Sequence, residues 1–309
     1  MLHFDTMEAA LLPCKALSSK VRIEIMELLY EKDGKNLNEI AELLGLSNSA
    51  VGVHVGKLEE AGLIRIRNIS GRRGSMKICE PTDTSLFIEL RRTGETQECY
   101  THHIEVGQYT LCHAEPTCGI ATQEHVIGEY DDPRYFAFPE RFQADLLWLT
   151  NGFVEYAVPN SLKAGERIRQ LSFSMEISSE APGIREEYPS DIYFYVNGVS
   201  VGYWISPGDF GSRRGRFNPP WWPEDKNQYG LLKELSIDGR GTFIDGGLKI
   251  SDVTIDQLNI TYNSILTFRI AAPLDTANSG GMTLFGRGFG DFNQGIRVSM
   301  RYEERQAKA

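Results

Sequence analysis

Two periods run along the chain, and one gives way to the other near residue 80. In the first stretch apolar residues recur every three or four positions: Val21, Ile25 and Leu28, then Leu37, Ile40 and Leu44, then Val51, Val55 and Leu58. That spacing puts one stripe of each segment on a single side and predicts three helices. Ser18 or Ser19 can cap the first, which runs to about Glu31 and ends at Asp33-Gly34. Gly45 suits a left-handed close to the second, and Ser47 caps the third, which Ala61-Gly62 stops. Leu63 to Ile69 and Ser75 to Glu80 read as the arms of a β-hairpin with Gly-Arg-Arg-Gly at its tip.

From about Glu98 the period shortens to two, with turn residues between the runs. The expected strands are Gly152–Val158, Arg169–Ile177, Asp191–Val196, Val199–Ile205, Leu232–Ile237, Gly241–Ile244, Ile265–Ile270, Met282–Phe285 and Ile296–Tyr302; Asn197-Gly198 marks a tight hairpin. Pro139–Leu149 is read as a helix. The fold class is therefore α+β and multidomain. A winged helix-turn-helix fills residues 1–80, a linker or wing extension follows over 81–100, and a large, mostly-β, jelly-roll-like sandwich occupies 101–309. The lack of alternating helices and strands disfavours a parallel-sheet enzyme.

The outward side of the third helix presents Ser49, Val53, Gly56 and Lys57, flanked by Asn48 and Gly52, and is expected in the major groove of DNA. The candidate DNA contacts are Ser47, Asn48, Ser49, Gly52, Val53, His54 and Lys57 on the helix, with Arg65, Arg67, Arg72 and Arg73 on the hairpin. A net charge of -10 opposes this until it is divided by region. Residues 1–80 hold 11 Lys and Arg against 11 Asp and Glu, leaving 21 against 31 for the rest. Between Ser47 and Cys79 there are six basic residues against two acidic ones, so cationic attraction is confined to one surface. Gly52 and Gly56 each cost the helix roughly 1 kcal/mol relative to Ala. Close approach to a groove or tight packing on a neighbouring helix would account for them.

With ALSSKVRIEIMELL followed by LNEIAELLGLSNSAVGVHVGKLEEAGLI, the first 80 or so residues resemble the ArsR-type family of winged-helix transcriptional regulators. The resemblance implies a homodimer on a palindromic double-stranded operator, with half-sites about 34 Å apart. Two departures matter. NLNEIAELLG lacks the metal-binding cysteines that many members carry before the recognition helix, so arsenic or zinc sensing there is not expected. Gly52 and Val53 stand where members often have Ser and Arg, which shifts readout towards methyl contacts and DNA shape.

In its strand pattern the second half resembles carbohydrate-binding sandwich modules. Its densest candidate chemistry is a loop, Tyr203-Trp204 through Pro207-Gly-Asp-Phe-Gly-Ser-Arg-Arg-Gly and Asn218-Pro-Pro-Trp-Trp-Pro to Gln228-Tyr229. Aromatic rings suit the C–H faces of sugars and polar groups suit their hydroxyl rims. Asp191, Trp204, Arg213, Arg214, Trp221, Trp222, Gln228 and Tyr229 are therefore the candidate contacts for a small carbohydrate-like effector. Alternatively, Trp221 and Trp222 plug one end of the sandwich.

Cys99, His102, His103, Cys112, His113, Cys118 and His125 offer soft and imidazole ligands without zinc-motif spacing; Cys99, His102, Cys112 and Cys118 are the candidates of a metal or redox sensor. No nucleophile elbow, Walker loop or His-Glu-x-x-His occurs, no cofactor is expected, and Asp131, Asp132, Glu186, Glu187 and Asp191 read as solvated or turn-forming. A carbohydrate-active enzyme with a regulatory head is the alternative to a non-enzymatic regulator. Five cysteines in no regular spacing, an acidic N-terminus and no long apolar run imply a cytoplasmic protein without a membrane partner.

Overall fold

The three helices expected near the N-terminus form, two of them with the apolar stripe that their spacing predicts. The structure is a computed structural model describing residues 2–4, 7–31, 34–71, 74–82, 86–88 and 98–304. It comprises two units, residues 1–96 and 97–309, each taken here by itself. The first unit contains helices α1 (Met7–Leu17), α2 (Lys20–Glu31), α3 (Leu37–Leu44) and α4 (Asn48–Glu60). Its strands are β1 (Leu2–Phe4), β2 (Lys35–Asn36), β3 (Ile64–Gly71), β4 (Gly74–Pro81) and β5 (Leu86–Ile88).

Asn36 caps α3 by accepting from the Asn38 and Glu39 amides, while the Glu39 carboxylate accepts from the Asn36 amide at 2.8 Å. Gly45 closes the helix at φ +64°. Ser47 caps α4, and Val51, Val55 and Leu58 of that helix are buried. Strands β3 and β4 form the antiparallel hairpin, to which β2 adds a third strand. Arg72 and Arg73 lie outside the described residues, as does Asp33.

Helix α1 was not apparent in the sequence, because Pro13 interrupts its pattern. It changes the surroundings of α2. Ser18 donates to the Lys15 carbonyl at 2.7 Å, and the Arg22 guanidinium donates to the carbonyls of Lys15 and Ala16 at the end of α1. The buried stripe of α2 is accordingly Arg22, Ile25, Met26 and Leu29, with Val21 and Leu28 half-buried.

The second unit is a sandwich that nearly closes into a barrel. Its strands are β6 (Glu98–Ile104), β7 (Tyr109–Ala121), β8 (Leu146–Val158), β9 (Glu166–Ser178), β10 (Ser190–Val196), β11 (Val199–Ser206), β12 (Leu231–Asp238), β13 (Gly241–Ile244), β14 (Leu248–Ser251), β15 (Leu266–Ala272), β16 (Met282–Phe285) and β17 (Ile296–Glu304). One sheet runs β11-β10-β15-β8-β7 and the other β6-β17-β9-β12-β13-β14, all antiparallel. Residues 98–100, expected in the linker, open a strand of this unit.

Short β16 joins the sheets. It pairs Met282–Phe285 with Leu149–Leu146 of β8 on one edge and Thr283–Phe285 with Ser178–Glu176 of β9 on the other. At the opposite margin Gly202, at φ +113°, brings β11 against β14; a Cβ there would lie 2.9 Å from the Ile250 carbonyl oxygen.

The helix expected over Pro139–Leu149 does not form. Pro139–Gln143 makes a short 3-10 turn, and Leu146–Leu149 are strand residues with β7 on one edge and β16 on the other. A strand buried on both faces is continuously apolar, which hides its period.

Between the sheets the Phe173 and Phe268 rings stack at 3.8 Å, and Phe194 lies 6.2 Å beyond Phe268. All three are fully buried. Replacing Phe268 with Ala should cost about 3–5 kcal/mol of stability, read as a lowered urea midpoint at unchanged slope; a loss below about 1 kcal/mol would show that the stack is not the centre of the core.

Candidate functional site

The outward face of α4 is open. Val53 is 60% exposed, and Ser49, Gly56 and Lys57 are exposed beside it. A Cβ added at Gly52 or Gly56 would meet no atom within 4 Å, so neither glycine is explained by packing among the described residues. Asn48 donates to the Asn38 side chain at 2.7 Å and ties α4 to α3, while the Ser47 and Ser49 hydroxyls lie 3.1 Å apart. His54 is half-buried, and its Nδ1 has no hydrogen-bond partner among the described residues. Arg65 and Arg67 both pair with Glu80, one residue past the stretch whose charge looked most basic.

The second unit has a cavity of about 210 Å³ at the end where β16 joins the sheets. Trp148 of β8 and Trp222 form apolar wall, Thr117 of β7 and Asn227 are polar wall, and Tyr130, Asp131 and Lys226 also line it. Ala181, Pro182 and Gly183 follow Glu180 along the wall, and Asp209 completes it.

Alternation on β16 positions these groups. Met282 and Leu284 belong to the main core with Leu147, Leu149 and Ile177; Phe285 packs instead with Leu146, Trp148, Trp222 and Phe289. Thr283, between Trp148 and Ser178 in register, donates to Glu180 Oε2 at 2.8 Å. Asn227 donates to the same oxygen at 2.9 Å, and Thr117 to Glu180 Oε1 at 3.4 Å. Asp209 Oδ2 accepts from the Ala181 amide at 3.2 Å; its Oδ1 is buried without a partner among the described residues. Burial raises the pKa of Glu180 to about 8, assisted by Asp209, and that of Asp209 to about 7.

Of the eight residues expected to meet an effector, Trp222 alone lines this cavity. It is also a plug, 2% exposed, with its indole N–H on the Asn227 carbonyl at 2.9 Å. Trp221 donates to the Gln123 carbonyl. Arg213 forks onto Asp291 and lies 4.0 Å over the Tyr229 ring, whose hydroxyl meets that of Ser212. Arg214 donates to the Pro219 and Trp222 carbonyls, and Gln228 to those of Pro223 and Lys226. These contacts fasten the loop to itself and its neighbours. Trp204 lies in the main core under Lys233, and Asp191 binds the Asn278 amides.

The cysteine-histidine candidates are spread out. Cys99 and His102 lie on β6 in one sheet and Cys112 and Cys118 on β7 in the other, and no cluster able to hold a metal occurs among the described residues. His102 meets the Ser161 hydroxyl, and burial pushes the Cys118 thiol up to about 12. Asp132 holds Arg134, and Glu186 accepts from the amides of Gly211 and Ser212. Asp131, expected as a solvated or turn-forming residue, both accepts from the Cys118 amide and lines the cavity.

Among known families, a profile described as winged helix-turn-helix DNA-binding matches residues 18–65. Over that stretch the chain carries a winged helix-turn-helix DNA-binding domain. No characterised protein matches it in sequence. Solved structures similar to it include dimeric latent PorU from Porphyromonas gingivalis (9% identity, 67% of this chain and 13% of that one, TM-score 0.25). Two others are the winged bean acidic lectin with methyl-α-D-galactose (9%, 67% and 100%, 0.29) and the family 11 carbohydrate-binding module of Clostridium thermocellum with a mixed-linked tetrasaccharide (11%, 51% and 72%, 0.18). None of these three bears on what this chain binds. No helix is long and apolar enough to cross a membrane among the described residues.

The raised carboxyl values fix a sign. In the folded state Glu180 and Asp209 keep their protons to about pH 8 and 7, whereas the unfolded chain releases them near 4.5 and 3.8. Within that window the native state binds more protons, so raising the pH lowers stability. Thermal unfolding of the full chain should therefore shift downwards from about pH 6 to 8.5, with a smaller shift in Glu180→Gln. The same slope in both proteins would show that Glu180 ionises as readily as an exposed carboxyl.

Proposed function

We propose that the chain is a DNA-binding transcriptional regulator without catalytic activity, related to the ArsR type, whose β unit senses a small carbohydrate-like molecule. The observation that carries the DNA-binding half is the bare face of α4, with two glycines that no contact among the described residues requires, inside the matched winged helix-turn-helix. Close approach to the groove floor accounts for glycines there. The regulator acts in the cytoplasm as a homodimer, and its two readers meet half-sites about 34 Å apart.

The effector half rests on the cavity. Its 210 Å³ suits a single sugar ring, and it offers two indoles and a phenol together with carboxylate, amide and hydroxyl groups. Regulation then requires only that the sugar favour one arrangement of the dimer, with coupling of about 1–3 kcal/mol.

The glycines supply a test in which stability and affinity move in opposite directions. Gly52→Ala with Gly56→Ala should stabilise α4, by up to about 1 kcal/mol per site. The same pair should weaken binding to a duplex from the chain's own promoter at least about tenfold, since the added methyls meet DNA alone. Lys57→Ala should lower the salt slope of that binding by about 1. Full affinity in the double-alanine protein would remove α4 from the groove.

A further inference from the structure

Resting on the effector reading of the cavity, we infer that its ligand carries a protonated amine, a sugar-sized hydroxylated molecule of the amino-sugar class whose ammonium group meets Asp209. The cavity wall carries three acidic side chains, Asp131, Glu180 and Asp209, and one basic one, Lys226. The Lys226 ammonium is stationed 5.5 Å over the exposed Tyr130 ring. Neither Glu180 nor Asp209 forms an ion pair with a basic side chain among the described residues. Glu180 is occupied by Thr117, Asn227 and Thr283.

Asp209 supplies the second, independent observation. It is 1% exposed, and one of its two oxygens accepts no hydrogen bond among the described residues. A buried acceptor in that state is costly, and an unpaired buried charge more so. A neutral hydroxyl on the ligand satisfies the hydrogen bond and leaves the buried Asp209 carboxyl protonated. An ammonium group takes the hydrogen bond and also holds that carboxyl in its ionised form, through a charge-assisted hydrogen bond. Trp148 and Trp222 provide faces for the ring's C–H groups, while Asp131 and Lys226 are placed to meet its hydroxyls.

Calorimetric titration of the full-length protein with D-glucosamine, D-galactosamine, their N-acetyl derivatives, glucose, galactose and choline tests this. Acetylation removes the charge and keeps the ring. An amine sugar should bind about tenfold or more tighter than both its N-acetyl form and its neutral parent. Asp209→Asn should erase that preference, bringing the amine sugar to the affinity of its neutral parent. If that variant fails to fold, Asp131→Asn, which removes an anionic charge from the exposed rim of the same cavity, should reduce the preference severalfold. Equal binding of glucose and glucosamine would overturn the ammonium assignment and leave the carbohydrate reading standing. Choline binding more tightly than any sugar would overturn the amino-sugar class, and with it the carbohydrate reading. No binding by any of the probes would overturn both.

Discussion

Strand β16 has to serve two sheets at once, and the chemistry of the second unit follows from that constraint. With β8 on one edge and β9 on the other, its four residues are all buried. One face looks into the main core, so the other must be covered as well. The cover is the loop carrying Trp221 and Trp222, with the turn around Phe289. A covering loop brings backbone amides under the surface, and buried amides need acceptors. Glu176 provides them, accepting from the amides of Gly230, Asp291 and Phe292. Glu180 does the equivalent for the Asn227 and Thr283 side chains.

The same geometry creates the cavity. Two acidic anchors lie four residues apart at the end of β9, and only Glu176 receives backbone donors from both covering segments. Glu180 is met by side chains, whose reach leaves room between the loop and the strand ends, and Asp209 enters that room from the segment after β11. Trp222 therefore has two roles: it seals the outer face of the junction and forms one wall of the space beside it. A residue in both roles is poorly suited to mutational dissection, whereas Asp131 at the rim separates ligand contact from packing.

The helical stripes of α3 and α4, the Gly45 close and the Ser47 cap were legible because a few neighbouring residues determine them; the Asn36 cap of α3 was not read. Most strands of the sandwich were legible for the same reason. What sequence reasoning missed depends on distant partners. The apolar run Leu146–Leu149 has no period to betray a strand, because β7 and β16 arrive from opposite directions in the chain. The cavity draws on Thr117, Asp131, Trp148, Glu180, Asp209 and Asn227, six positions spread over about a third of the sequence. The conspicuous loop aromatics and arginines instead fasten the loop itself. Asp209 sat inside that loop, and its one distinguishing mark, an oxygen without a donor, exists only once the chain is folded.

Charge on the first unit bears on how it holds DNA. Glu80 takes both Arg65 and Arg67, so the stem of the hairpin offers less cation than its sequence implied. Pairs whose arginines are more than half exposed contribute only about 0–1 kcal/mol, and Glu80 beside them opposes the approach of a phosphate. With acidic and basic residues balanced over 1–80, electrostatic attraction by one reader is small, and non-specific binding with it. In the regulator proposed above, such a reader would gain its affinity from close fit, which a smooth glycine-bearing helix face would supply, and from a second copy on the same operator. Under that proposal two readers would double the contacts while each stayed too weak to occupy arbitrary DNA, and control would pass to whatever sets the distance between them.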